Sequence, residues 1–179
     1  MKIRSHKQKG FTIIEAIVAA SVFAIAIVSS LGVYIATLQL DQKSRAERDV
    51  LQNGRFIMEY LSKEIRNGSI DYANTTSSVL SIRNQQDEIL TFFYSPSSKS
   101  LQFTRDGSGT TLNSGNVKVS NFQFILNPTT DPFDLVNDAH TQPHVTIILS
   151  LDSANSRVVD SAHIDLHTTV GVRDYRERY

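Results

Sequence analysis

Residues 16–40 read AIVAASVFAIAIVSSLGVYIATLQL and contain no charged side chain. About 20 predominantly apolar residues are enough for an α-helix to cross the hydrocarbon core of a membrane. The segment before it is basic, because Lys2, Arg4, Lys7 and Lys9 lie in the first ten residues, which hold no acidic side chain. A basic leader of this kind stays on the cytoplasmic side of the membrane. The pattern therefore predicts a membrane-inserting helix near the N-terminus.

Two simple interpretations of this segment leave Glu15 unexplained. A secretory signal would join the basic leader to an apolar stretch of about 7 to 15 residues and a small-residue cleavage site, which Ala24-Ile25-Ala26 imitates. The apolar segment nevertheless continues well beyond residue 26, and a carboxylate within such a segment costs several kcal/mol unless it is paired. A plain signal anchor, the second interpretation, gives Glu15 no role either.

Residues 9–15, Lys-Gly-Phe-Thr-Ile-Ile-Glu, resemble the processing motif of prepilins, the precursors of type IV pilin-like proteins. The resemblance implies that residues 1–10 are a leader peptide, that prepilin peptidase cuts between Gly10 and Phe11, and that Phe11 is then N-methylated. It also implies that Glu15 pairs with the N-terminal ammonium of a neighbouring subunit inside an apolar filament core. Opposite charges attract strongly where the effective dielectric is low, and a buried charge without its partner is costly. Correct stagger between subunits is thereby favoured.

The helix is predicted to continue to about residue 66, since only Gly32 and Gly54 interrupt it. Residues 11–40 form the apolar transmembrane or filament-core half, and residues 41–66 form an amphipathic half. Apolar or small residues recur there at spacings of three and four, which places them on one face: Val50, Leu51, Gly54, Ile57, Met58, Leu61 and Ile65. The charged residues fall largely on the other face: Glu47, Arg48, Arg55, Glu59, Lys63 and Arg66. The pair Asn67-Gly68 predicts the end of the helix, because Gly is favoured just past a helix end.

Residues 67–179 are predicted to form a globular antiparallel β head. Short alternating or apolar runs, separated by turn residues, predict strands over 79–83, 89–94, 101–105, 117–126, 145–151 and 157–170. Residues 95–99 and 106–109 have the composition of hairpin connections. An antiparallel sheet packed on the amphipathic half of the helix gives an α+β fold, which is also the pilin-like plan.

Several other side chains are candidates for binding or catalysis. The absence of cysteine excludes disulfides, thiolate metal sites and cysteine nucleophiles. His163 with His167, and His140 with His144, are four residues apart, but a strand would separate their Cβ atoms by about 13 Å, which argues against zinc. Nothing resembles a phosphate-binding loop, a nucleophile elbow or a metalloprotease helix. Neither an enzyme nor a cofactor is predicted.

Three carboxylates, Asp131, Asp134 and Asp138, lie in the segment 127–143. Oxygen ligands in a flexible loop suit Ca²⁺, and some pseudopilins, to which the chain is similar, hold calcium in a C-terminal loop. The spacing fits no EF-hand, so a solvated loop is the default interpretation and calcium binding is the alternative. Four of the 18 basic residues lie in the first ten, which leaves 14 against 18 acidic ones. The head therefore has no overall basic charge that would favour a nucleic-acid partner.

Residues 51–66, LQNGRFIMEYLSKEIR, are similar to a stretch of J-type minor pseudopilins of type II secretion and of W-type minor pilins. The resemblance implies a minor subunit that primes, caps or inserts into a type IV pilus or a type II pseudopilus. Its implied partners are prepilin peptidase, other pilin or pseudopilin subunits, the inner-membrane assembly platform and, before assembly, membrane lipid. The chain would be a single-pass inner-membrane protein with its head in the periplasm or outside the cell, and then part of a filament.

The alternative function is that of an adhesin-like or DNA-uptake pilin whose head binds a ligand. An exposed aromatic or basic patch on the head would favour it. The aromatic residues of the predicted strands are assigned instead to the core of the sheet: Phe92, Phe93, Tyr94, Phe103, Phe122 and Phe124.

Overall fold

The computed structural model describes residues 10–76, 78–105, 107–133, 141–154 and 161–173. Its elements are a long helix, α1 (Ile13–Asn67), and the strands β1 (Ser69–Ile70), β2 (Val79–Arg83), β3 (Ile89–Ser95), β4 (Ser100–Arg105), β5 (Ser108–Thr111), β6 (Val117–Asn127), β7 (His144–Ser153) and β8 (His163–Gly171). The chain divides into two compact units, Met1–Asp41 and Gln42–Tyr179. Each contains part of α1.

In the first unit, α1 is apolar on all sides, as its sequence predicts. The large hydrophobic side chains from Phe11 to Leu40 are exposed, and Phe11 itself is 76% exposed. An 18-residue window of α1 is apolar enough to cross a membrane, and none of that window is buried by the chain. Water is a poor solvent for this surface, which fits a segment that inserts into a membrane.

In the second unit, α1 is amphipathic and ends at Asn67, where the sequence predicted its end. One face is buried at Val50, Gly54, Ile57, Leu61 and Ile65, while Leu51 and Met58 are half-buried. The six charged residues that were assigned to the opposite face are all exposed. The two predicted faces of this half of the helix are therefore confirmed.

The strands form two antiparallel sheets, and the α+β fold class is confirmed. One sheet has the order β1-β2-β3-β4-β5 and the other has the order β6-β7-β8. Five of the six predicted strands agree with β2, β3, β4, β6 and β7 to within two residues at each end.

Two unpredicted strands and one strand boundary differ from prediction. Ser108 and Gly109 were expected in a hairpin connection but begin β5, where they pair with Arg105 and Thr104. The polar, fully exposed sequence of β5 gives no alternation to detect. The strand predicted from residue 157 begins only at His163; residues 161 and 162 precede it without strand structure, and residues 157–160 lie outside the described chain. The two-residue β1 is too short for a periodicity signal.

The buried face of α1 packs on both sheets. The ring centroid of Tyr60 lies 6.2 Å from that of Phe92 and 5.6 Å from that of Phe103, in the larger sheet. In the smaller sheet, Leu166 and Leu151 approach Gly54 so closely that a Cβ atom there would lie 2.6 and 3.2 Å from their Cδ1 atoms. One continuous core therefore joins the helix to both sheets.

The predicted aromatic core is largely confirmed. Phe92, Phe122 and Phe124 are buried, and Tyr94 and Phe103 are partly buried against the core. Phe93 is half-buried.

Candidate functional site

The start of α1 is fixed by a local hydrogen-bonding pattern. The backbone N–H of Glu15 donates to the Thr12 side-chain oxygen, Oγ1, at 3.3 Å, and the N–H of Ala16 donates to the Thr12 carbonyl at 3.1 Å. Thr12 is thus the N-cap, the residue that satisfies free N–H groups at a helix start. Sequence reasoning missed this role, although Thr-x-x-Glu is the spacing of a capping box.

This cap determines where the Glu15 carboxylate lies. Glu15 is the third residue of α1, in its first turn. A negative charge there is favoured by the partial positive charge of the helix N-terminus. Its side chain is exposed, and the chain from residue 16 to residue 40 carries no other charge. A single carboxylate therefore marks one end of a long apolar surface.

The Gly10–Phe11 peptide bond lies before the first helical residue, Ile13. Both Gly10 and Phe11 are exposed. An ideal Cβ on Gly10 would have no neighbouring heavy atom within 4 Å. Among the described residues, the bond is therefore non-helical and exposed.

The serine and threonine hydroxyl groups of the apolar segment are satisfied within the helix. The Oγ atoms of Ser21, Ser29 and Ser30 donate to carbonyls four residues earlier at 2.8 to 2.9 Å, and the Oγ1 atom of Thr37 does the same at 2.9 Å. Such bonds hide polar groups from an apolar surrounding and can bend a helix slightly. Glu15 is the charged side chain at the start of this segment, and a charge that is buried without a partner is costly.

The histidines considered for zinc do not form a metal cluster within the described residues. His163 Nδ1 lies 2.6 Å from Asp152 Oδ1, and its Nε2 lies 3.2 Å from Asp165 Oδ2. The hydrogen bonds to Asp152 and then Asp165 raise the pKa of His163. A ring whose two nitrogens both face carboxylates is favoured in its protonated form, which cannot bind a metal. His167 is exposed on the same strand, and His144 bonds to Asn127 at 3.1 Å. His140 lies outside the described residues.

Of the three carboxylates that are candidates for calcium binding, only Asp131 lies within the described residues. Asp131 Oδ1 accepts a hydrogen bond from the backbone N–H of Phe133 at 2.9 Å and lines a cleft together with Tyr72. Burial, with a smaller effect of the Asp131 charge, raises the pKa of Tyr72 to about 12. Asp134 and Asp138 lie outside the described residues, so calcium binding stays a hypothesis beside the default interpretation of a solvated loop.

Comparison with known proteins identifies the N-terminal segment. A family model described as the prokaryotic N-terminal methylation motif matches residues 5–31, which include Gly10, Phe11 and Glu15. The match supports a type IV pilin-like subunit that is anchored by one membrane span, processed by prepilin peptidase and assembled with other pilin subunits. Proteins that carry this motif are structural subunits rather than enzymes. Neither the comparison with curated proteins nor that with solved structures gives a match.

Proposed function

We propose that this chain is a minor subunit of a type IV pilus or a type II secretion pseudopilus. In this proposal the chain is cut between Gly10 and Phe11, N-methylated at Phe11 and built into a filament through Glu15. The observation that carries it is the capped helix start, which holds the Glu15 carboxylate at the head of an uncharged helical segment with exposed apolar side chains.

The exposed apolar surface of residues 11–40 requires two environments in turn. Membrane lipid covers it before assembly, and the helices of neighbouring subunits cover it in the filament. Within that second environment a carboxylate needs an opposite charge, because an unpaired buried ion is strongly destabilising. The ammonium group that cleavage creates on Phe11 of a neighbour supplies this charge.

Pairing of these two groups would set the stagger between subunits. Glu15 follows Phe11 by four residues. In a mature subunit whose helix begins at Phe11, this spacing corresponds to about 6 Å, at a rise of 1.5 Å per residue. Two parallel subunits in which the Glu15 carboxylate meets the neighbour's Phe11 ammonium are offset by roughly this distance. A different offset would leave both charges unpaired, so one register is favoured.

In this proposal the subunit starts as a single-pass inner-membrane protein with its head in the periplasm or outside the cell. The inner-membrane assembly platform then extracts it into the filament, where it primes, caps or joins the row of major subunits. The length of the apolar segment and the basic leader before it support this orientation.

Replacement of Glu15 tests the proposed pairing. The Glu15→Gln variant should insert into the membrane and lose its leader normally but enter sheared filaments about tenfold less than the native chain, as expected when a charge-assisted contact is lost. Glu47→Gln removes the same charge from an exposed position of α1 in the second unit and should assemble normally. Normal assembly of Glu15→Gln would exclude the proposed role of this carboxylate.

Mass spectrometry of the mature N-terminus tests the processing step separately. The expected product begins with N-methylated Phe11. A chain that begins after Ala26, or that retains its leader, would show a secreted or plainly anchored protein and would overturn the proposal as a whole.

A ligand-binding head is the second candidate function. The specific observation in its favour is a basic cleft on the second unit, lined by Arg66, Arg83 and Arg173. The exposed ring of Phe56, which is 53% accessible, lies elsewhere on α1. Binding by the head and assembly through Glu15 are compatible, since they use different residues.

A further inference from the structure

Three arginines that are distant in sequence line one cleft of about 400 Å³ at the C-terminal end of α1. They are Arg66 in the last turn of the helix, Arg83 at the end of β2, and Arg173 just after β8. The remaining lining residues are Asn67, Gly68, Ser69, Asn84 and Gln85. None of the lining residues is acidic and none has a large apolar side chain, so the cleft offers hydrogen-bond donors and positive charge.

The backbone fixes the positions of these arginines. The N–H of Arg173 donates to the carbonyl of Arg66 at 3.2 Å, which ties the segment after β8 to the end of the helix. Arg83 pairs with Ser69 in the register of β1 and β2. The backbone therefore holds Arg66 and Arg173 next to each other, and the pairing of β1 with β2 fixes the position of Arg83.

Only one of the three charges is compensated within the described residues. The Nη1 atom of Arg83 lies 2.8 Å from Asp87 Oδ1. No carboxylate of the described chain forms an ion pair with Arg66 or Arg173. The negative end of the helix dipole favours a cation at Arg66, which accounts for that arginine alone. Like charges on adjacent residues repel each other, so the pair of Arg66 and Arg173 would be stabilised by an anion.

We propose that this cleft binds a doubly charged oxyanion of the phosphate monoester class. Guanidinium groups bind phosphate oxygens through paired, charge-assisted hydrogen bonds. Two charges that no described carboxylate compensates match a dianion better than a single carboxylate. Asn67 and Gln85 can add neutral donors. The side chain of Asn84 is engaged elsewhere. Its Oδ1 accepts hydrogen bonds from the backbone N–H groups of Gln86 and Glu88, and its Nδ2 donates to the Glu88 carboxylate. The site is independent of the filament role, since it uses neither Phe11 nor Glu15.

A direct binding experiment can use glycerol 3-phosphate as the probe. The full chain is placed in micelles of a nonionic detergent, in phosphate-free buffer of constant ionic strength, and the backbone N–H signals of Gly68 and Ser69 are followed by NMR. We expect saturable shifts. Arg66→Gln and Arg173→Gln should each weaken binding about tenfold, the effect expected from loss of a charge-assisted hydrogen bond.

The matched control is Arg55→Gln. Arg55 is exposed on the same helix but does not line the cleft, so its loss changes the net charge equally without changing the site. Native-like spectra of all three variants establish that they are folded. Shifts that do not saturate, or an equal loss of affinity in Arg55→Gln, would overturn the proposal.

The charge of the ligand provides a second readout. A phosphate monoester loses its second proton near pH 6, so binding should weaken as the pH is lowered from about 7.5 to about 5. Dimethyl phosphate, a diester with a single charge, should bind several-fold more weakly. Equal affinity for the diester would overturn the assignment to a dianion. Asp174 follows Arg173 in the sequence and lies outside the described residues. Binding that appears only in Asp174→Asn would show that a carboxylate of the chain itself competes for the cleft, and would also overturn the proposal.

Discussion

A Cβ atom added to Gly68 would lie 2.7 Å from the carbonyl oxygen of Arg83 and 2.9 Å from that of Glu64. The N–H of Gly68 still donates to the Glu64 carbonyl at 2.9 Å, as in a helix. Gly107 is the glycine with a left-handed backbone among the described residues, so left-handed geometry is not the reason for glycine at residue 68. The close approach of β2 to the end of α1 is the reason.

Gly68→Ala should therefore destabilise the second unit. Both oxygens belong to the backbone and cannot move without disturbing the helix end or β2, so we expect a loss of about 1–3 kcal/mol, as for other overpacked sites. Chemical denaturation followed by far-UV circular dichroism measures it. Gly115→Ala is the control, because a Cβ there meets nothing within 4 Å, and it should change stability by less than about 0.5 kcal/mol. Equal stability of the two variants would contradict the steric argument.

The helix was the most predictable part of the fold because its signals are periodic and long. An uncharged run of 25 residues, followed by Val50, Ile57, Leu61 and Ile65 on one face, leaves few alternatives. The helix end at Asn67-Gly68 was predicted correctly, but the physical reason for glycine at residue 68 is a different one. The role of Gly68 depends on its contact with β2, a strand that is distant in sequence and comes close only in the folded chain.

The features that were missed depend on tertiary neighbours or on weak local patterns. The strand β5 has the sequence Ser-Gly-Thr-Thr and is exposed throughout, so it lacks the alternation that identifies a half-buried strand. The arginine cleft combines residues 66, 83 and 173, and no spacing rule relates positions so far apart. The Thr12 cap, in contrast, could have been predicted from its Thr-x-x-Glu pattern.

Tyr72 should make the second unit less stable as the pH rises in the alkaline range. Its hydroxyl is buried and has no hydrogen-bond partner within the described residues, and burial raises its pKa to about 12. Because the folded pKa lies above the usual value of about 10, the neutral phenol is the form that the fold favours. The contribution of Tyr72 is complete below about pH 10 and is lost as the pH rises towards about 12.

Tyr72→Phe should accordingly raise the free energy of unfolding at neutral pH by about 1 kcal/mol, since it removes an unsatisfied polar group. In urea unfolding, the difference in free energy of unfolding between Tyr72→Phe and the native chain should increase between about pH 10 and about pH 11. Tyr94→Phe is the contrasting variant. Its hydroxyl donates to the Val119 carbonyl at 3.2 Å, and its removal should cost about 0.5–1.5 kcal/mol. A loss of stability in Tyr72→Phe at neutral pH would mean that its hydroxyl is satisfied.

His163 should titrate above the usual histidine range. The hydrogen bonds to Asp152 and Asp165 raise the pKa of His163, so its stabilising effect is complete below about pH 6.5 and is lost as the pH rises through the folded pKa. The effect on stability is small because the ring is exposed and screened by salt. NMR titration of the ring protons tests the shift itself. In Asp152→Asn the pKa of His163 should fall towards its ordinary value, and an unchanged titration would refute the assigned cause.

Asn113 should be important for the connection between the two sheets. Its Oδ1 accepts a hydrogen bond from the Leu101 N–H of β4 at 3.0 Å, and its Nδ2 donates to the Val117 carbonyl of β6 at 2.6 Å. One amide thus satisfies a donor from one sheet and an acceptor from the other, which no carboxylate can do.

Asn113→Asp keeps the volume of the side chain but places a negatively charged oxygen against the Val117 carbonyl. We expect a loss of about 1–3 kcal/mol at neutral pH, the cost of an unsatisfied and repelled polar group. The loss should decrease at about pH 3, where the carboxyl group is largely protonated and can donate again. Asn116→Asp makes the same chemical change at an exposed residue of the same turn and should stay within about 0.5 kcal/mol of the native chain. Equal stability of the two variants in urea denaturation would show that the sheets are held together by their apolar contacts with α1 rather than by this amide.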